Sequence, residues 1–96
     1  MSADVRIYTT DYCPYCTRAK GLLTKKKVAF TEVNVEEKPE VRSWLVSASG
    51  QRTVPQVFIN GQSVGGFSDI AELDRKGRLD ALLAEPPNPT AAALPD

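Results

Sequence analysis

An α/β domain built on a four-stranded mixed sheet, in the order βαβαββα with helices on both faces, is predicted by three features of the chain. Short runs rich in β-forming residues alternate with longer stretches of helical periodicity. The first two such runs flank a single helical stretch, and a unit of that kind demands a parallel pair with a right-handed crossover. Later, Asn60-Gly61 separates two further short runs, and this dipeptide is a strong hairpin signal, so the last two strands are antiparallel.

The elements follow in order. Val5-Arg6-Ile7-Tyr8-Thr9 alternates and reads as the first strand, running through the polar turn Thr10-Asp11-Tyr12 into a helix that starts at Pro14. Proline suits the first helical position, where its missing N–H costs nothing. Ala19, Leu22 and Leu23 mark the apolar face of this helix, with Arg18, Lys20 and Lys25 outside it. Val28 to Val35 reads as the second strand. Glu36-Glu37 and Pro39 open a second helix with an apolar stripe of Val41, Leu45 and Ala48, and Gly50 ends it. Trp44 lies beside that stripe and is expected to pack. Gln56 to Ile59 and Gln62 to Gly65 are the hairpin strands. Gly65-Gly66 leads into a last helical region from about Ser68 to Ala84, bent at Gly77, with Leu73, Leu79, Leu82 and Leu83 facing inward. The strands are apolar nearly throughout, so helices must cover both faces of the sheet. The domain therefore spans residues 1–84. Residues 85–96, with Pro86-Pro87-Asn88-Pro89 and an alanine-rich end, read as a flexible tail with no core to join.

Ninety-six residues suffice for one core but not two. The formal net charge is +0, which argues against nucleic-acid or membrane-surface binding, since either favours a basic excess. Lys25-Lys26-Lys27 is basic, but it falls where cations complement a helix C-terminus. No apolar stretch approaches the ~20 residues that span a bilayer, and Met1-Ser2-Ala3-Asp4 lacks the pattern of a signal peptide. A cytoplasmic location is the expectation. Nothing suggests an obligate interface, so a monomer is expected.

Chemistry enters with the two cysteines, Cys13 and Cys16. A disulfide closing so short a loop would constrain the unfolded chain weakly, and reducing compartments disfavour structural disulfides. Structural zinc needs about four ligands, and the chain has no histidine. What remains is a redox-active dithiol. Its placement at a strand-to-helix turn within a βαβ unit is the context that reads as thioredoxin-like. Cys13 falls at the helix N-cap, where the orphan N–H groups of Tyr15 and Cys16 and the helix dipole favour a thiolate and should lower its pKa. Cys16, one turn inside, lacks those donors and should stay protonated to higher pH. Cys13 is thus the expected nucleophile and Cys16 the residue that resolves the mixed disulfide.

Over residues 4 to about 84 the chain resembles a dithiol glutaredoxin of the CPYC type. The likeness is carried by Tyr8-Thr9, Cys13-Pro14-Tyr15-Cys16, Thr53-Val54-Pro55 and Gly65-Gly66-Phe67-Ser68-Asp69. The resemblance implies a thioredoxin fold and an enzyme that reduces protein disulfides and protein–glutathione mixed disulfides, with glutathione as reductant and co-substrate and no metal. It also implies a cis peptide bond before Pro55, leaving the Val54 main chain to pair with the cysteinyl part of glutathione. The γ-glutamyl carboxylate would then meet backbone N–H groups near Ser68 and Asp69, with Gly66 permitting close approach, and Asp69 would pair with the γ-glutamyl ammonium. Asp69 is also placed to cap the helix. Tyr15, Gln51 and Arg52 would border the other end, where the glycyl carboxylate needs a donor or a cation; Arg52 supplies both, and Thr53 and Pro55 complete the glutathione site the resemblance implies.

Two positions depart from the family pattern. Many members carry a lysine three residues before the first cysteine, where this chain has Thr10, so the ligand carboxylate falls to Arg52 or Lys20. Ser68 stands where an acidic residue is common. Two rival readings remain at this level: a redoxin reduced by thioredoxin reductase, and a dimer sharing a [2Fe–2S] cluster through Cys13 and glutathione. The partners expected are glutathione and disulfide-bonded or glutathionylated client proteins.

Overall fold

The strand that leads to the dithiol, β1 (Val5–Thr9), is paired on both sides. The structure, a computed structural model, describes residues 3–87 and 94–95. Its sheet has the order β2-β1-β3-β4, with β2 Thr31–Asn34, β3 Gln56–Ile59 and β4 Gln62–Gly65. β1 runs parallel to β2, from Arg6 opposite Thr31 to Thr9 opposite Asn34. It runs antiparallel to β3, from Val5 opposite Ile59 to Tyr8 opposite Gln56. β3 and β4 form the expected hairpin, with Asn60 and Gly61 both at positive φ as such a turn requires.

Helices α1 (Pro14–Lys25), α3 (Phe67–Arg75) and α4 (Arg78–Ala84) supply the cover of one face. Ala19, Leu23, Ile70, Leu79 and Leu83 there meet Val5, Ile7, Val57 and Ile59 of the sheet. Helix α2 (Pro39–Ser49) supplies the other, placing Val41 and Leu45 with Tyr8, Val33, Val35 and Phe58. This is the mixed-sheet, two-faced α/β architecture that the element order predicts. The bend also falls where expected: Gly77 adopts φ +73 between α3 and α4, a left-handed conformation that glycine tolerates best. Lys26 at the α1 C-cap reaches Asp74 at 2.5 Å and Asp80 at 3.0 Å, tying α1 to α3 and α4. These hydrogen-bonded carboxylates hold the Lys26 ammonium above its ordinary pKa.

Three expectations are corrected. The second strand is shorter than Val28 to Val35, because the chain leaves α1 through Lys27 at φ +60 and spends Val28 and Phe30 packing on the α1 side of the core before pairing begins. Ala48 is exposed; the α2 stripe is extended instead by Trp44, whose ring lies 5.5 Å from those of Tyr8 and Phe58. The tail is not wholly without a core, since Leu94 packs on the α2-side cluster. The rest of the expected flexible tail beyond Pro87, apart from Pro95, lies outside the described residues.

Candidate active site

Cys13 is the N-cap of α1, in extended conformation at φ −111, and Pro14 takes the first helical position. The sequence puts it there because β1 ends at Thr9 and proline cannot extend a strand ladder but readily starts a helix. The backbone N–H of Cys16 donates to Cys13 Sγ at 3.2 Å. The approach turn is held from outside. Asp11 N–H donates to Glu36 Oε1 at 3.1 Å, and Asn34 Nδ2 donates to Asp11 Oδ1 at 2.8 Å. Cys13 is half-buried while Cys16 is 2% exposed, so the first sulfur is the one an incoming disulfide can reach.

Burial pushes the Cys16 thiol up to about 12, and its hydrogen bond to Cys13 adds to the effect. A backbone hydrogen bond from Thr10 and the Lys20 ammonium oppose it without prevailing. Cys16 is therefore a neutral thiol at physiological pH, as expected of the residue one turn inside the helix. Lys20 is itself held by Glu32 at 3.0 Å, and Thr9 Oγ1 donates to the same carboxylate oxygen at 2.8 Å. Burial would raise the Glu32 carboxyl, but the Thr9 hydroxyl and Lys20 outweigh it and hold it below its usual value.

Beside the dithiol lies a groove of about 480 Å³ lined by Tyr15, Gln51, Thr53, Val54, Pro55, Gly66, Phe67, Ser68 and Asp69. The Val54–Pro55 peptide is cis. The Cys13 thiol faces the Val54 carbonyl oxygen at 3.8 Å, which fixes the nucleophile at the edge of the groove. The loop carrying Gln51 and Thr53 is pinned from beneath. Gln56, fully buried at the start of β3, donates its amide to Gln51 Oε1 at 2.8 Å and to the Thr53 carbonyl at 2.9 Å.

The far wall is the start of α3. Asp69 Oδ2 accepts the Gly66 N–H at 2.9 Å, so the capping role expected of Asp69 is present. Gly65 has φ +101, and a Cβ there would run into the Asp69 side chain; at Gly66 it would sit 3.1 Å from the Pro55 carbonyl oxygen. Glycines at both positions let the cis-proline loop and the helix start approach each other.

Eight of the nine residues expected to bind ligand thus line one groove. Arg52 does not; it lines a separate groove with Arg42, Ser43, Val46 and Ser47 along α2. The reason is the Gln56 amide, which draws Gln51 and Thr53 toward β3 and leaves Arg52 on the outer side. Lys20, the other expected cation, is engaged with Glu32. Two contributors escaped sequence reasoning. Phe67 joins the lining, its ring 6.4 Å from that of Tyr15. Gln56 supports the loop, and the signal for it is a glutamine opening an otherwise apolar strand, since a buried amide must find partners. Among the described residues no group of three or more His, Cys, Asp or Glu is placed to hold a metal ion, and no helix is long and apolar enough to cross a membrane.

Residues 5–64 match the family model for glutaredoxin. A glutaredoxin of Pseudomonas aeruginosa is 51% identical over 80 residues, covering 83% of this chain and 95% of that protein. Glutaredoxin 3 of Escherichia coli is 47% identical over 81 residues, covering 84% and 98%. Among solved structures, a buckwheat glutaredoxin–glutathione complex superposes with a TM-score of 0.80 at 30% identity, covering 84% of this chain and 76% of that one. A glutaredoxin from Brucella melitensis gives 0.78 at 45% identity, covering 85% and 89%.

Proposed function

The chain belongs to the glutaredoxin family and is a thiol–disulfide oxidoreductase of thioredoxin fold, and from that premise we propose that it uses glutathione to reduce protein–glutathione mixed disulfides and protein disulfides. The observation that carries this reading is the groove itself. It gathers Tyr15, Gln51, Thr53, Val54, Pro55, Gly66, Ser68 and Asp69 beside a sulfur 3.8 Å from the Val54 carbonyl oxygen. A groove flanking the reactive sulfur suits a small peptide whose own sulfur must meet it. The buckwheat relative in complex with glutathione supports the same ligand.

In this reading the Val54 main chain pairs with the cysteinyl part of glutathione. The backbone at Ser68 and Asp69 receives the γ-glutamyl carboxylate at the α3 N-terminus, and Asp69 meets the ammonium. Tyr15, Gln51 and Thr53 border the glycyl end, without help from Arg52.

Cys13 as thiolate attacks the glutathione sulfur of a mixed disulfide. A Cys13–glutathione disulfide forms and the client leaves as thiolate. A second glutathione thiolate then attacks the glutathione sulfur, releasing glutathione disulfide and restoring Cys13. With a protein disulfide, Cys13 bonds one client sulfur and Cys16 displaces it, yielding the Cys13–Cys16 disulfide and a fully reduced client. Cys16 surrenders its proton in that step, and two glutathiones reset the pair.

The test couples NADPH oxidation to glutathione reductase, glutathione and a glutathione mixed-disulfide substrate. Turnover is expected. Turnover only when thioredoxin reductase replaces the glutathione system would defeat the proposal.

A further inference from the structure

Helix α2 is not the only cover on its side of the sheet. Leu94 is half-buried against the cluster of Tyr8, Val33, Val35, Val41, Leu45 and Phe58. Arg6 Nη1 donates to the carbonyls of Leu94 at 3.2 Å and Pro95 at 3.3 Å, and Tyr8 OH donates to the Pro95 carbonyl at 2.7 Å. Arg6 and Tyr8 are two residues apart on β1 and so project on the same face. A guanidinium in the middle of a sheet strand needs acceptors, because burying it unpaired is costly. The C-terminal segment brings two carbonyls to it. One apolar side chain and three hydrogen bonds thus meet a single stretch of β1.

The same cluster reaches the active site. Val54 packs on it from the cleft side, and Val54 also lines the groove and faces the Cys13 thiol. We infer that the Leu94–Pro95 segment is an intramolecular strap, docked on Arg6 and Tyr8, that closes the aromatic cluster and thereby holds the Val54 loop of the ligand groove in place. Docking stands on the contacts alone, whereas the effect on ligand rests on the glutathione reading of the groove.

Trp44 is the single tryptophan of the chain, and its ring lies 5.5 Å from those of Tyr8 and Phe58, so its emission reports on this cluster. The experiment compares the full chain with a chain ending at Pro87 and with full-length Leu94→Asp. It records Trp44 emission and its quenching by acrylamide, then KM and kcat for a glutathione mixed disulfide. Both variants are expected to shift Trp44 emission to the red and to raise its quenching. KM should rise severalfold with kcat little changed. Unchanged emission in Leu94→Asp overturns the docking, and this variant decides the matter if the shortened chain does not fold. Shifted emission with unchanged KM overturns the link to Val54. If the unmodified chain fails to turn over the mixed disulfide, the glutathione reading falls, and the emission arm still decides the strap.

Discussion

The backbone N–H of Cys16 donates to Cys13 Sγ at 3.2 Å, so the second cysteine supports the first through its peptide group as well as through its sulfur. Replacing its side chain leaves that donor in place. Cys16→Ser is therefore expected to keep reducing small glutathione mixed disulfides while losing dithiol reduction of protein disulfides. Cys13→Ser should lose both. Assays of the two variants on the two substrates check this, and an inactive Cys16→Ser on the mixed disulfide would reverse the assigned roles.

Stability of the reduced protein should fall in alkali because of Cys16. Its thiol sits at about 12 in the folded chain against an ordinary 9.0. Below 9.0 the thiol is neutral in both states and the shift has no effect. Above it the unfolded chain releases the proton and the folded chain retains it, so unfolding is favoured increasingly until about 12. Urea midpoints measured on either side of 9.0 should show a loss that is smaller in Cys16→Ser.

Gln56 does not line the groove and acts through the loop it pins. Gln56→Leu should cost roughly 1 kcal/mol of stability through the lost hydrogen bonds. It should also raise KM for a glutathione mixed disulfide, since Gln51 and Thr53 lose their common donor. Denaturation and steady-state kinetics on one preparation separate the two effects; an unchanged KM would reduce Gln56 to a packing residue.

Asp69 caps α3, and a pair of variants can separate that from the ligand contact proposed for it. Asp69→Asn keeps an oxygen for the Gly66 N–H but removes the charge, so stability should hold while KM for the mixed disulfide rises. Asp69→Ala should additionally cost about 1 kcal/mol as a lost cap. Equal KM in Asp69→Asn and the unmodified protein would leave capping as its only duty.

Gly65→Ala tests the same corner of the groove from the backbone side. At φ +101 and against the Asp69 side chain, a methyl group should cost roughly 1–3 kcal/mol, read as a lowered thermal midpoint.

Much of this was legible in the chain because local rules and tertiary structure agree. Pro14 after Cys13, Asn60-Gly61 in the hairpin and Gly77 between two apolar helical runs each announce one backbone geometry, and each occurs. The groove was legible through motif, since eight of its lining residues sit in three short segments. Side-chain direction in the 51–55 loop was not. Arg52 lies between two inward-held neighbours, and the buried amide that holds them belongs to Gln56, which follows the Thr53-Val54-Pro55 motif without being part of it. The start of β2 was misjudged for a related reason. Val28 and Phe30 satisfy a strand pattern equally well when they pack on the core beside α1. Nor does composition reveal that Leu94, in an alanine- and proline-rich stretch, finds a site on the sheet.

Cys13 and Val54 face each other at the edge of the groove and stand 41 positions apart in the chain. Yet the end of β1 and the beginning of β3 are neighbours, joined at the rung of Tyr8 and Gln56. The spacing between the Cys13 sulfur and the Val54 loop is thus a property of strand register, independent of the length of the path that connects them. Extra residues between Glu36 and Pro39 would forfeit the Lys38–Val35 turn hydrogen bond but leave Glu36 on Asp11, and beyond that would incur a loop-closure cost that grows slowly with length.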